Sequence, residues 1–133
     1  MRILEMFLLS LVLTLVIETA VALIMGVRMP GLKVVWLVNL LTNPAVVYLS
    51  LLSAWFLAPN GRRAALVFLE AAAIAVEAFI YTKNLDWEAL PDRTAAGKLA
   101  GGRPAPASLV LSLLLNAASY GMGELIEILI RRM

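Results

Sequence analysis

Four stretches of this chain are apolar almost all round, and each is about as long as a bilayer is thick. A membrane-spanning helix needs about 20 mostly apolar residues. Runs from about Ile3 to Val27, Val34 to Ala58, Ala64 to Thr82 and Ala107 to Ile130 meet that requirement. Periodicity says little inside them, because a helix surrounded by lipid has no polar face to reveal. The punctuation lies between them. "GVRMPG" closes the first run with Gly26, Pro30 and Gly31, and "PNGRR" closes the second. After the third comes a polar 24-residue segment, "KNLDWEALPDRTAAGKLAGGRPAP". Its glycines and prolines argue against a continuous helix. Within it "DWEAL" predicts one interfacial turn, with Trp87 at headgroup level beside Trp36 and Trp55 in an aromatic belt. No internal repeat is visible.

The pattern predicts an all-α integral membrane protein, a single transmembrane domain over residues 1–133 with four transmembrane helices. Two short connections make successive helices antiparallel neighbours, and the result is a small bundle. Composition agrees. The chain is 62% hydrophobic and 15% charged, with a mean hydropathy of +0.93, where soluble domains are about half apolar and about a quarter charged. Arg2, the first apolar run and "ETAVA" loosely fit a cleaved signal. The run continues to Met25, however, so a retained first helix is expected in a multi-pass cell-membrane protein. An even number of spans puts both termini on one side. Arg2, Arg62, Arg63, Arg131 and Arg132 lie on that side, against Arg28, Lys33, Lys83, Arg93, Lys98 and Arg103 on the other. The balance is nearly even; the "NGRR" and "IRRM" charges abutting helix ends favour cytoplasmic termini.

Absences narrow the chemistry. There is no cysteine and no histidine, which removes disulfides, thiolate chemistry, the commonest metal ligand and the usual general base near neutral pH. The basic residues are scattered at segment ends, so no nucleic-acid partner is expected. The chain has no catalytic signature and no phosphate-binding glycine loop; "GKLAGG" lacks the helix-opening context.

Against this background the acidic residues inside the spans stand out: Glu18, Glu70 and Glu77, with Glu124 and Glu127 nearer an end. A charged side chain at the bilayer centre costs about 2.5–3.5 kcal/mol on insertion scales. No Lys or Arg lies within the apolar cores to pair with them. They must be protonated, hydrogen-bonded across helices or holding a cation. At 1.5 Å per residue, Glu18, Asn43 and Asn116 lie about 13–14 Å below the face bearing the first and third connections, and Glu77 about 8–9 Å. Each helix thus brings a carboxylate or an amide to nearly one level. Glu70 and Glu77 share a helix face, as do Asn39 and Asn43, and Ser112, Asn116, Ser119, Gly123 and Glu127 form a stripe. Gly121 and Gly123 are expected to admit a neighbouring backbone. Pro44, in "LLTNPAVVY", frees carbonyls near Leu40, and with Thr42 and Asn43 beside them these are candidate oxygen ligands.

The candidate site is therefore Glu18, Glu70, Glu77, Asn39, Asn43 and Asn116, with Thr42, Pro44, Ser119 and Tyr120 around it. All-oxygen ligation suits Mg²⁺, Ca²⁺ or Mn²⁺ better than Zn²⁺ or Cu²⁺. Each residue also has a plainer role. Buried glutamates and asparagines act as interhelical glue at about 0.6 kcal/mol per bond, Pro44 as a kink, and Glu124 and Glu127 as partners of Arg131 and Arg132, with Glu5 beside Arg2.

Four short spans with an early glutamate resemble the small multidrug resistance exporters, where a helix-1 carboxylate exchanges protons for a cationic drug. That likeness covers Glu18 alone; the long third connection and the further glutamates depart from it, and the function is not carried over. "TNP" in the second helix, paired glutamates in the third and "NAASYGMG" in the fourth are similar to short prokaryotic multi-pass membrane proteins, a likeness that spans much of the chain and implies no activity. Cation binding or transport, metal or proton-coupled, in a homo-oligomer or membrane complex within the lipid bilayer is the leading expectation. The alternatives are a membrane-embedded subunit or assembly factor and, last, an intramembrane enzyme using glutamate acid–base or metal chemistry.

Overall fold

The computed structural model describes residues 3–90, 95, 98 and 103–132. It is the expected all-α bundle, with four long helices among the described residues: α1 (Ile3–Met25), α2 (Gly31–Phe56), α3 (Pro59–Asn84) and α4 (Pro104–Arg132). All four are long and apolar enough to cross a membrane. α3 starts at Pro59 rather than near Ala64, and α4 at Pro104 rather than Ala107. Proline fits a first helical turn, where its missing N–H would have had no partner.

α1 ends where Gly26 turns left-handed, at φ 99°. Val27 N–H then donates to the Ala22 carbonyl at 2.9 Å and Gly26 N–H to the Leu23 carbonyl at 3.1 Å, the paired closure of a Schellman motif. A side chain at that φ costs about 1–2 kcal/mol. Gly26→Ala is expected to lower the unfolding midpoint in detergent accordingly, whereas an unchanged midpoint would show that the turn relaxes. Side chains add further donors to carbonyls at the helix ends: Arg28 donates to Leu23, Arg62 to Leu57, Asn84 to Ile80 and Trp87 to Tyr81. Helix ends near lipid need such partners because water is scarce there.

α1 packs on α2 and α4, and α3 packs on the same two helices. The diagonal pairs, α1 with α3 and α2 with α4, do not pack on each other among the described residues. The two ends of the bundle differ. Toward the face bearing the 26–30 and 85–103 connections (the loop face), Ala22, Met25, Val35, Val38, Tyr81, Leu111 and Leu115 form a dry core. Leu85 is buried in it and Trp87 and Leu90 pack against it, so Trp87 covers the core as well as marking an interface. Gly31 sits where a Cβ would meet Val27 Cγ1 at 2.9 Å and Leu85 Cδ2 at 3.1 Å. Gly121, by contrast, has nothing within 4 Å of an added Cβ. The close approach expected at Gly121 belongs instead to Gly31, because Gly121 is on the exposed side of α4. The outward faces carry leucines, valines and phenylalanines, as a lipid-facing surface should.

Candidate functional site

Toward the opposite end (the terminal face) the apolar core gives way to a polar cavity of about 240 Å³. Its innermost residues are Glu18 on α1, Asn39 and Thr42 on α2, Glu77 on α3 and Asn116 on α4. From there it extends past Thr14, Asn43, Ala73 and Ser119 to Ser10, Val47, Glu70 and Tyr120. Both inner carboxylates are 1% exposed.

The helix order explains how these acids are held. Glu18 and Glu77 project from diagonal helices, and each is tied to both helices that flank it. Glu18 accepts a short hydrogen bond from Asn39 Nδ2 on α2 and one from Ser119 Oγ on α4 at 3.2 Å. Glu77 accepts from Thr42 Oγ1 on α2 at 2.8 Å, and from Ser112 Oγ at 2.8 Å and Asn116 Nδ2 at 2.5 Å on α4. On α4 these donors come from one stripe, Ser112, Asn116 and Ser119, because 3.6 residues per turn aligns positions four and seven apart. The same arithmetic turns Pro44 about 140° away from Asn39. Pro44 is not among the residues that line the cavity, and α2 runs on through it as a helix.

The donors do not all have a proton to spare. A hydroxyl carries one hydrogen, yet Thr42 Oγ1 also lies 3.0 Å from the Val38 carbonyl, Ser112 Oγ 3.2 Å from that of Ile74 and Ser119 Oγ 3.1 Å from that of Asn116. Each of these hydroxyls faces a choice between a helix carbonyl and a carboxylate. When the acid is ionised, the hydroxyl proton belongs on the acid; when a proton or a cation satisfies the acid, the hydroxyl can turn to the carbonyl. An ionised carboxylate offers about four acceptor positions. Glu18 uses two and Glu77 three, so acceptor capacity remains on both.

No family model, curated protein or solved structure matches this chain.

Of the residues expected at the site, the cavity gathers Glu18, Glu70, Glu77, Asn39, Asn43, Asn116, Thr42, Ser119 and Tyr120. Their roles differ. Asn39 and Asn116 turn their amide N–H groups to the acids, as donors. Asn43 lines the wall one turn nearer the terminal face and makes no side-chain hydrogen bond among the described residues. Glu70 stands farther out and is half-buried. Among the described residues no three acidic groups converge closely enough to hold a metal ion, and no Lys or Arg lines the cavity. The side chains of Glu124 and Glu127, and the surroundings of Gly123, lie outside the described set. Ser10 and Thr14 were not anticipated, although their spacing of four ahead of Glu18 puts all three on one face of α1. Ser112, noticed only as part of a stripe, is a direct partner of Glu77.

Proposed function

We propose that the cavity binds a cation in exchange for a proton, and that the protein moves cations across the membrane by that exchange. The observation that carries the reading is the pair of fully buried carboxylates, Glu18 and Glu77, with unused acceptor positions and no basic side chain lining the same cavity among the described residues. A buried acid without an opposite charge is costly in lipid, and a proton or a cation entering the cavity would relieve that cost. A proton or a monovalent cation is the simpler occupant, since among the described residues no cluster of three acidic groups forms around the pair. The hydroxyls of Thr42, Ser112 and Ser119 would follow the occupant, turning to the acids when it leaves and to the helix carbonyls when it returns. With cytoplasmic termini, the cavity faces the cytoplasm.

The test is proton movement in vesicles reconstituted with the full chain and loaded with a pH-sensitive dye. Gradients of Na⁺, K⁺, Mg²⁺, Mn²⁺ and quaternary ammonium salts are imposed in turn. At least one should shift the lumenal pH, and Glu18→Gln and Glu77→Gln should each bring that shift to the protein-free level. No response to any cation above protein-free vesicles, or a response that survives in both variants, would overturn the reading.

A further inference from the structure

The three acids that line the cavity are not held alike. Glu77 takes three side-chain donors and Glu18 takes two. Glu70 has no hydrogen bond or ion pair among the described residues. It precedes Glu77 by seven residues on α3, so it faces the same way to within about 20° and lies about 10 Å nearer the terminal face. At this outer end the cavity draws a residue from every helix: Ser10 on α1, Val47 on α2, Glu70 on α3 and Tyr120 on α4. A ring taken from all four helices puts the opening on the bundle axis rather than in a seam between two of them. Ser10 and Tyr120 are exposed and Glu70 is half-buried, so this end is open, whereas the dry core shuts the other. The cavity, at about 240 Å³, has room for several waters at about 30 Å³ each. Among the described residues no positive charge lines it; Arg63, seven residues before Glu70, stands about 10 Å farther out along α3.

We infer that the outer end of the cavity is a cation-collecting vestibule, in which Glu70 receives the ion before it reaches the Glu18–Glu77 pair. The inference rests on the cation-exchange reading for what lies beyond the mouth. An acid at the mouth of a cleft with low-dielectric walls focuses its field there and raises the local concentration of cations. Glu70 suits that task because all its acceptor positions are open to an arriving ion, where the inner acids spend two and three of about four on fixed partners. No neighbour fixes its carboxylate geometry, so it holds an ion loosely. A stop along a path must bind firmly enough to admit an ion and weakly enough to release it. Thr14 and Asn43 line the passage from Glu70 inward and offer oxygens to an ion that has left bulk water.

The chain has no cysteine, so a single thiol placed at the mouth reports on it directly. Val47→Cys in the full chain, in detergent, is treated with the cationic reagent trimethylammonioethyl methanethiosulfonate and with neutral methyl methanethiosulfonate. Each rate is divided by that of the same reagent with mercaptoethanol. The cationic reagent should be favoured about tenfold, the lower end of electrostatic focusing in a cleft. Adding Glu70→Gln should remove most of that preference, and Glu70→Asp should keep it. Loosened packing would change both rates alike. Ser10→Cys, on another helix, should give the same pattern and serves if Val47→Cys does not fold. No labelling at either position, no preference for the cation, or a preference that survives Glu70→Gln would overturn the vestibule. The two readings fail separately: a cation-driven pH shift in vesicles that depends on Glu77, without cation-selective labelling, removes the vestibule and leaves exchange in place.

Discussion

Replacing Glu77 with leucine is expected to abolish cation-driven proton movement while leaving the fold at least as stable as before. Loss of activity follows directly, since one of two buried acids is gone. The stability result is less obvious and follows from the hydroxyl geometry. Without the carboxylate, Thr42 keeps the Val38 carbonyl, Ser112 keeps that of Ile74, and Asn116 Nδ2 keeps the Ser112 carbonyl at 2.9 Å. The second N–H of Asn116, which loses the acid, still lies 3.4 Å from Ser112 Oγ. A charged side chain at membrane depth costs about 2.5–3.5 kcal/mol on insertion scales, and leucine, of similar volume, removes that cost. Thermal unfolding in detergent should therefore give an unchanged or raised midpoint. A marked drop would mean that Glu77 holds α2, α3 and α4 together, and would favour a structural role over exchange.

The second large effect concerns the dry end of the bundle. Leu111 has no exposure, whereas Leu113, two residues on, is 46% exposed on the outer side of α4. Leu111→Ala removes packing on every side and should cost about 2–5 kcal/mol, the range for truncating a core leucine. Leu113→Ala exchanges side chain for lipid and should cost much less, because lipid tails are as apolar as leucine. Unfolding the two variants in mixed micelles with rising denaturing-detergent fraction would separate them. Equal losses would show that the apolar half is not the stabilising core.

The four spans were legible because length and hydropathy suffice in a bilayer, where backbone satisfaction leaves a helix as the only economical form for such runs. Helix starts were less legible: Pro59 and Pro104 look like breaks in a sequence and behave as first-turn residues in the fold. At the site, Glu18, Glu77 and Asn116 were visible because ionisable and amide groups are rare in lipid. The finer assignment was not. A sequence shows that Asn39 and Asn43 share a face, but not that Asn39 alone reaches Glu18, since that depends on how α2 is rotated against α1. Nor does it show which way an amide turns, and that orientation makes Asn39 and Asn116 donors to the acids. Ser10 and Thr14 were hidden because a lone hydroxyl in a helix usually bonds its own backbone.

The diagonal placement of the two acids has one more consequence. Their helices do not meet, yet a single turn of α4 touches both: Asn116 grips Glu77 with its amide, and its carbonyl accepts from Ser119, which reaches Glu18. A change at one acid is therefore expected to reach the other within one turn of α4, as the single Ser119 proton moves between the Asn116 carbonyl and Glu18, and Ser119→Ala is the small cut that should leave the two acids strangers.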